Sequence, residues 1–334
     1  MKRIVECVPN FSEGRDTGKI GRIAGEIEKV REVKLLNVES DVDYNRTVIT
    51  FGGDPEAVKE AAFSAIEMAA EVIDMSLQKG AHPRIGATDV CPFIPVLQVS
   101  MEECVRLARS LGKEVGERLG IPVYLYGDAA IFPERYLLSD IRKGEYESLP
   151  EKLKDKRWQP DYGPMEYNSH IKRTGATVIG TRNILIAYNI NLGTEDVTIA
   201  RKIAEAVRTS GTVKTNEKGE KKCIPGKLKE VQAMGVYLKE EHIVQVSMNL
   251  LDFEETPPHV AFEEVKRQAL FFGVEVTGSE VIGLIPKEAL LQAGQFYSGD
   301  QSEEKLIQTA IEKLGLHQLN RFIPEKKIIE YMLK

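Results

Sequence analysis

Cysteine, tryptophan and histidine are scarce in this 334-residue chain, which has four, one and five of them. The cysteines at 7, 91, 104 and 223 form no CxxC pair and no zinc-ligand spacing. We interpret them as reduced thiols of a cytoplasmic protein that mostly fill the core. The histidines form no HxH or HExxH pattern, which argues against a metal site.

Long apolar runs and excess positive charge are also missing. No apolar stretch reaches the ~20 residues that span a bilayer. The N-terminal segment carries a charge at Glu6, and we expect no signal-peptide core there. The net charge of −6 excludes a global basic surface for nucleic acid. We therefore expect no membrane and no nucleic-acid partner. The 42% of hydrophobic residues suffices for one large domain or two smaller ones.

Periodicity and capping signals predict an α+β fold. Both halves have the order β-α-β-β-α-β, and Ser100 with Glu103 forms a capping box for a further helix. This order predicts two ferredoxin-like subdomains, residues 1–180 and 181–334, packed through their sheets with a cleft between them. We expect residues 127–164 to be irregular surface leading into the site, and 215–225 to be a mobile loop. The predicted fourth strand covers residues 93–99.

Residues 79–97, KGAHPRIGATDVCPFIPVL, are the most distinctive stretch. Pro83, Pro92 and Pro95 exclude a helix, because each lacks a backbone donor. His82 is thus in a loop beside the cation Arg84. Its imidazole can exchange a proton near neutral pH, and an arginine fork can hold a carboxylate. The alternative is that His82 only bonds to the loop backbone.

This stretch resembles the signature of the formiminotransferase domain, the glutamate formimidoyltransferase family. The resemblance extends over essentially the whole chain. Further similar segments are 6–15, 161–164, 175–183, 188–192, 245–250, 252–257 and 278–286.

The resemblance implies a transferase with His82 as the catalytic residue. The reaction moves a formimino group from N-formimino-L-glutamate to N5 of tetrahydrofolate, in histidine degradation. Tetrahydrofolate is then a co-substrate, and a homodimer is expected. The chain ends where a fused cyclodeaminase would begin, so we expect that activity to be on a separate protein. The folate-contacting segment of the family corresponds to Gly163, Pro164, Met165, Glu166, Tyr167, Asn168, Ser169, His170, Ile171 and Lys172.

The substrate carboxylates require cations, and the imidazole requires an orienting group. Arg84 and Arg46 are the predicted carboxylate ligands; for either, the alternative is a solvated charge. Asp41 is predicted to assist His82 by fixing its tautomer, with capping of its own turn as the alternative. Cys91 is interpreted as packing rather than as a nucleophile, because it precedes Pro92 in an apolar strand.

Two other functions are compatible with the same residues. The donor could be formylglutamate or formiminoglycine, and no side chain separates these donors. A ferredoxin-like folate-binding protein without turnover is the second alternative. His82, Arg84 and Asp41 argue against it, because binding alone requires no acid–base residue.

Overall fold

The computed structural model describes residues 3–215, 221–238, 241–299 and 302–333. The chain divides into two units, one ending at Arg182 and the other beginning at Asn183. The predicted α+β class is confirmed, and each unit contains one ferredoxin-like arrangement of strands and helices.

The first unit contains a mixed sheet with helices. Its strands are β1 (Ile4–Cys7), β2 (Asn10–Phe11), β3 (Val33–Asp41), β4 (Arg46–Gly53), β5 (Thr88–Leu97), β6 (Val123–Tyr126) and β7 (Thr177–Thr181). Its α-helices are α1 (Thr17–Glu28), α2 (Pro55–Val72), α3 (Met101–Glu114), α4 (Leu138–Ile141), α5 (Leu149–Lys152) and α6 (Ser169–Thr174).

Strand order in this sheet is β3, β4, β1 with β2, β5, β7, β6. The first four positions have the ferredoxin-like order, with all neighbours antiparallel. Strands β7 and β6 extend the sheet as parallel neighbours beyond β5. Strand β5 begins five residues earlier than the predicted start at Phe93, so the end of the signature stretch is part of the sheet.

The helices of this unit begin where the sequence indicates. Asp16 accepts from the amides of Gly18 and Lys19 and thereby caps α1. Asp54 caps α2 with Pro55 at its first position, and Ser100 forms the predicted capping box with Glu103. Their apolar faces pack on the sheet in one cluster with buried side chains such as those of Ile27, Phe51, Ile66, Phe93 and Leu111.

Residues 127–164 have a core of their own, so describing them as surface alone is wrong. Ile141, Leu149 and Leu153 pack with Tyr124 and Tyr126 of β6 in a second buried cluster. Within the same segment, Arg135 is fully buried and pairs with the carboxylate of Asp161 at 2.9 Å. Burial of a charged group requires such a partner. This packing fixes the course of the chain through α4 and α5.

The second unit has a four-stranded antiparallel sheet in the order β11, β12, β8, β13. The strands of the unit are β8 (Ile186–Leu192), β9 (Thr212–Thr215), β10 (Lys221–Ile224), β11 (Val231–Leu238), β12 (Ile243–Leu250) and β13 (Val276–Ile282). The helices are α7 (Val197–Val207), α8 (Pro258–Phe271), α9 (Lys287–Ser298), α10 (Glu303–Lys313), α11 (Pro324–Lys327) and α12 (Ile329–Met332).

The predicted loop at 215–225 is partly a hairpin, because β10 pairs with β9. Residues 216–220 of that prediction lie outside the described residues. Within the part of the chain that is described, no helix combines the length and the apolar character that crossing a membrane requires.

Candidate active site around His82

Asn45 joins three segments at the site. It lies at the corner between β3 and β4 with φ +48°, a conformation that Asn tolerates better than most residues. Its side-chain oxygen accepts from the Gly14 amide at 2.9 Å, and its side-chain amide donates to the Lys79 carbonyl at 2.9 Å. The loop that carries His82 is therefore fixed against both the first turn of the chain and the β3–β4 corner.

The ring of His82 is half-buried and lies among cations. Its centroid is 6.2 Å from that of Tyr44, at an interplanar angle of 60°. Burial lowers the pKa of His82 to about 4, and the guanidinium charges of Arg46, Arg142 and Arg84 act in the same direction. The imidazole is therefore neutral at pH 7 and can accept a proton.

Arg84 is buried and is held by acidic side chains, a state that the sequence did not predict. Its Nη1 and Nη2 donate to both carboxylate oxygens of Glu147 at 2.9 and 2.7 Å, and Nη1 also donates to Glu145 at 2.8 Å. Its Nε donates to Gln78 at 2.8 Å. These contacts fix residues 145–147 against the loop that carries His82 and Arg84. Binding of a substrate carboxylate by Arg84 stays a prediction, and it requires exchange of one of these partners.

Asp41 caps its own turn, which was the alternative to assisting His82. Its Oδ1 accepts from the Tyr44 amide at 2.8 Å, which closes the turn between β3 and β4. Among the described residues, no hydrogen bond joins Asp41 to His82. The turn that Asp41 closes positions Tyr44 near the imidazole. Its direct assistance to His82 stays a prediction.

Arg46 lies at the start of β4, opposite Asp41 in the register of the sheet. Its guanidinium carbon is 5.7 Å from the centroid of the Tyr44 ring. Burial lowers its pKa, and the charge of Arg142 adds to this effect. Its Nε is buried and has no hydrogen-bond partner among the described residues. A half-buried cation with a buried, unpaired donor atom favours an anionic ligand at this position.

Sequence reasoning missed Arg142, which directly follows α4. Its Nε donates to Oδ1 of the buried Asp89 at 3.4 Å, and its Nη2 contacts Oδ2. Asp89 also accepts from the Ile85 amide at 3.0 Å. Burial raises the pKa of Asp89, and Arg142 opposes that rise. One signal was present in the sequence: a carboxylate among the apolar residues of the signature stretch needs a cationic partner.

Residues 163–172 resemble the folate segment. The residues that directly follow them are hydrogen-bonded to the signature stretch, residues 79–97. The amide of Ala87 donates to the Thr174 carbonyl at 2.8 Å, and that of Ala176 donates to the Ile85 carbonyl at 3.0 Å. Between these bonds, Gly86 and Gly175 form a bridge in which an added Cβ on Gly175 would lie 2.4 Å from the Gly86 Cα. Only glycine allows this contact.

Most side chains of that segment are available to a ligand. Asn168 caps α6 through the Ile171 amide at 2.9 Å, and Ile171 is buried. His170 lies 2.8 Å from the Leu119 carbonyl. The side chains that stay exposed belong to Met165, Glu166, Tyr167, Asn168, Ser169, His170 and Lys172, while Gly163 and Pro164 are half-buried.

Cys91 is buried in the sheet of the first unit. Its sulfur is 3.5 Å from that of Cys7, and both side chains are fully buried in the sheet. Burial raises the pKa of Cys7 well above its ordinary value. In the described residues, no three His, Cys, Asp or Glu side chains are grouped as metal ligands.

Fold and site together define a protein of two ferredoxin-like units, the first of which holds a neutral imidazole among three guanidinium groups. The model of the formiminotransferase domain, N-terminal subdomain, matches residues 4–182, and that of the formiminotransferase domain matches residues 187–334. The chain therefore belongs to the formiminotransferase family, and the resemblance seen in the sequence is confirmed.

Curated relatives agree with this assignment. The chain is 46% identical over 296 residues to a glutamate formimidoyltransferase of Thermoplasma acidophilum, covering 88% of this chain and 92% of that protein. It is 42% identical over 297 residues to one of Streptococcus pyogenes serotype M1, covering 89% and 94%. It is 48% identical over 339 residues to the formimidoyltransferase-cyclodeaminase of Mus musculus. That match covers all of this chain, which spans 60% of the length of the mouse protein.

Proposed function

We propose that this chain is a glutamate formimidoyltransferase that moves a formimino group from N-formimino-L-glutamate to N5 of tetrahydrofolate, in histidine degradation. The names of the two relatives that match along nearly their whole length support this activity. The observation that carries the proposal is the neutral His82 among Arg46, Arg142 and Arg84. An uncharged base surrounded by cations suits a substrate that brings two carboxylates and must exchange a proton.

The reaction can be written with His82 as the only proton carrier. N5 of the folate attacks the formimino carbon, a new C–N bond forms, and the N5 proton moves to the imidazole of His82. The bond between that carbon and the glutamate nitrogen then breaks, and His82 returns the proton to this nitrogen. The products are 5-formimino-tetrahydrofolate and glutamate. A positioned acid–base group of this kind contributes ~10²–10⁴-fold to the rate.

Binding of the donor adjusts the basicity of His82. Without an anion, burial together with the surrounding charges lowers the pKa of the imidazole to about 4, which makes it a weak base. A carboxylate bound by Arg46 or Arg142 neutralises part of that charge and raises the pKa towards its ordinary value of 6.5. His82 then takes up a proton effectively only when the donor is present.

Arg46 is the best supported ligand for a donor carboxylate, because its buried Nε lacks a partner among the described residues. Arg142 retains N–H groups beyond those that bind Asp89. Exposed side chains of residues 163–172 are proposed to contact the folate, as the resemblance implies.

The resemblance also makes a homodimer the expected assembly. We propose the two subdomains with the bounds predicted from the sequence. Residues 1–180 carry the catalytic histidine, and residues 181–334 are the C-terminal subdomain.

A spectrophotometric assay with three donors tests the activity. Tetrahydrofolate is incubated with the full chain and with formiminoglutamate, formylglutamate or formiminoglycine, and 5-formimino- or 5-formyl-tetrahydrofolate is measured. We expect a higher kcat/KM with formiminoglutamate than with formiminoglycine, because its two carboxylates match the cations around His82, whereas formylglutamate has the same two carboxylates and tests the identity of the transferred group. Faster transfer from formylglutamate or formiminoglycine would replace the donor but keep the transferase. Folate binding without any transfer would favour the non-catalytic alternative.

A further inference from the structure

Amide side chains attach the loop that carries His82 to the corner between β3 and β4. The side-chain amide of Gln78 donates to the Asn45 carbonyl at 3.1 Å, and its side-chain oxygen accepts from Nε of Arg84 at 2.8 Å. The side-chain amide of Asn45 donates in the opposite direction, to the Lys79 carbonyl at 2.9 Å. Hydrogen bonds therefore join the two segments in both directions, although 33 residues separate Gln78 from Asn45.

Backbone contacts hold the same two segments at close range. The Ala81 amide donates to the Asp43 carbonyl at 3.3 Å. An added Cβ on Gly80 would lie 2.8 Å from the Asn45 Cβ, which is too short for any larger residue at this position. Among the described residues, no strand pairing joins the corner to residues 78–84. Their separation therefore depends on the amide side chains and on the bond from Ala81.

Both segments carry charged or titratable groups of the proposed site. Arg46 directly follows the corner, and His82 follows Gln78 by four residues. Among the guanidinium groups that lower the pKa of His82, that of Arg46 acts most strongly, followed by those of Arg142, next to α4, and Arg84, on the loop itself. A charge acts on an imidazole in a distance-dependent way. The joint between loop and corner therefore determines how strongly Arg46 acts on His82.

An amide is well suited to this joint, because it has a donor and an acceptor in one plane. A carboxylate at position 78 would accept from Arg84 but could not donate to the Asn45 carbonyl. A lysine would donate but not accept, and it would add a fourth positive charge near His82. Neutral amides fix the two segments without changing the charge of the site.

We propose that Gln78 and Asn45 are positioning residues of the formimino transfer. They set the separation between the imidazole of His82 and the guanidinium of Arg46. The inference rests on the proposed function, in which Arg46 binds a donor carboxylate and His82 carries the proton. Neither amide is required to touch a substrate. When the joint is lost, Arg46 no longer holds the donor at the distance from His82 that proton transfer requires.

A double-mutant cycle on the pKa of His82 tests this separation without any substrate. The imidazole C–H signals are titrated by NMR in the wild type, Gln78→Met, Arg46→Gln and the double variant, and His82→Ala identifies the signal of His82. Arg46→Gln should raise the pKa of His82 in the wild-type chain, because it removes a positive charge. In the Gln78→Met chain the rise should be less than about half as large, since that charge then lies farther from the imidazole. A residue that only stabilises the fold would not change this difference.

Asn45→Gly keeps the inference testable if Gln78→Met does not fold. Glycine accepts the φ of +48° and keeps the carbonyl that Gln78 binds, so that only the side-chain bonds of Asn45 are lost. The effect of Arg46→Gln should again be smaller than in the wild type. Gln159→Met is the matched control, because Gln159 binds Arg135 through its backbone carbonyl. In that chain Arg46→Gln should act as it does in the wild type.

Initial-rate kinetics of Gln78→Met give the second readout. We expect the KM for formiminoglutamate to rise about 5- to 20-fold, whereas the KM for tetrahydrofolate should stay within about 2-fold. The inference is overturned if Arg46→Gln raises the pKa of His82 equally in the wild-type and Gln78→Met chains, or if both KM values rise equally. A wild-type chain without any transfer would overturn the proposed function instead, while the titration, which requires no substrate, still tests the separation.

Discussion

Arg142 donates to both oxygens of the buried Asp89 carboxylate, through Nε and Nη2. This pair fixes a guanidinium near the imidazole of His82, although the two residues lie in segments that are distant in the sequence. The charge of Arg142 contributes to the lowered pKa of His82 and, less strongly than burial, to that of Arg46. This structural ion pair therefore adds to the effects of burial and of Arg46 on the pKa of the proposed base.

Arg142→Gln is predicted to raise the pKa of His82. The variant removes a positive charge, and its amide can still donate to Asp89. The pKa, about 4 in the wild-type chain, should move towards the ordinary value of 6.5. NMR titration of the imidazole C–H signals measures this change, and the spectrum of His82→Ala identifies the signal of His82.

Arg157→Gln is the control for that titration, because Arg157 is exposed and pairs only locally with Asp155. It should leave the titration of His82 unchanged. If Arg142→Gln also leaves it unchanged, the charge of Arg142 does not act on the imidazole, and the electrostatic part of the account is wrong.

The same lowered pKa predicts that the fold becomes less stable in acid. Between about pH 6.5 and pH 4 the histidine of the unfolded chain is protonated while His82 of the folded chain is not. The free energy of unfolding is unaffected by this residue above that window and falls as the pH decreases through it. His82→Ala removes this contribution, so urea unfolding should show less loss of stability between pH 7 and pH 4.5 than in the wild type. An equal loss in both proteins would contradict the prediction.

Arg84→Ala is predicted to release residues 145–147 from the loop that carries His82. It removes the buried partner of the two glutamates, which are themselves partly exposed, so the expected loss of stability is about 1–3 kcal/mol. Hydrogen exchange should become faster in residues 144–148, and KM should rise for both substrates. Arg84→Lys should recover little, because an ammonium cannot reproduce the fork geometry.

The original prediction for Arg84 gives a different result in the same experiment. If Arg84 binds a donor carboxylate directly, Arg84→Ala raises the KM for the donor more than the KM for folate. An equal rise of both KM values favours the loop-fixing role, and an unchanged donor KM removes Arg84 from the carboxylate ligands.

Gly175→Ala is predicted to be among the most damaging small substitutions. Gly175 has φ +70° and ψ −152°, a region that is almost restricted to glycine. The added Cβ would lie 2.3 Å from the Ile85 carbonyl oxygen. Chemical denaturation should show a loss of at least ~3 kcal/mol, whereas Gly25→Ala, with open space around its Cβ in α1, should be neutral or stabilising. Equal stability of Gly175→Ala and wild type would refute the close contact.

The fold could be predicted from the sequence to the extent that its signals are local. The capping residues Asp54 and Ser100 and the apolar periodicities indicated the correct order of elements in both units. Insertion of β7 between β5 and β6 was not predictable, because it depends on pairing between strands far apart in the sequence. The earlier start of β5 also depends on neighbouring strands, since its first residues pair with β2 and not with a local partner.

The candidate site could also be predicted only as far as its signals are local. Prolines around His82 predicted a loop, and the loop is present. The charged partners of Arg84 and Asp89, however, come from residues 142–147, and the flanking Ile141 and Leu149 pack in a second cluster that no local pattern indicated. Short polar side chains such as Asp41 can cap a turn or act in catalysis, and only the geometry around Tyr44 distinguishes the two.

The most direct test of the account is the single-turnover rate of formimino transfer by His82→Ala, measured with saturating formiminoglutamate and tetrahydrofolate at pH 7. The account predicts a rate ~10²- to 10⁴-fold below the wild-type rate, with tetrahydrofolate binding within a few-fold and an unchanged far-UV circular dichroism spectrum. His242→Asn, which changes an exposed histidine of the second unit, should transfer at the wild-type rate. A His82→Ala rate close to that of the wild type would contradict the assignment of His82 as the proton carrier.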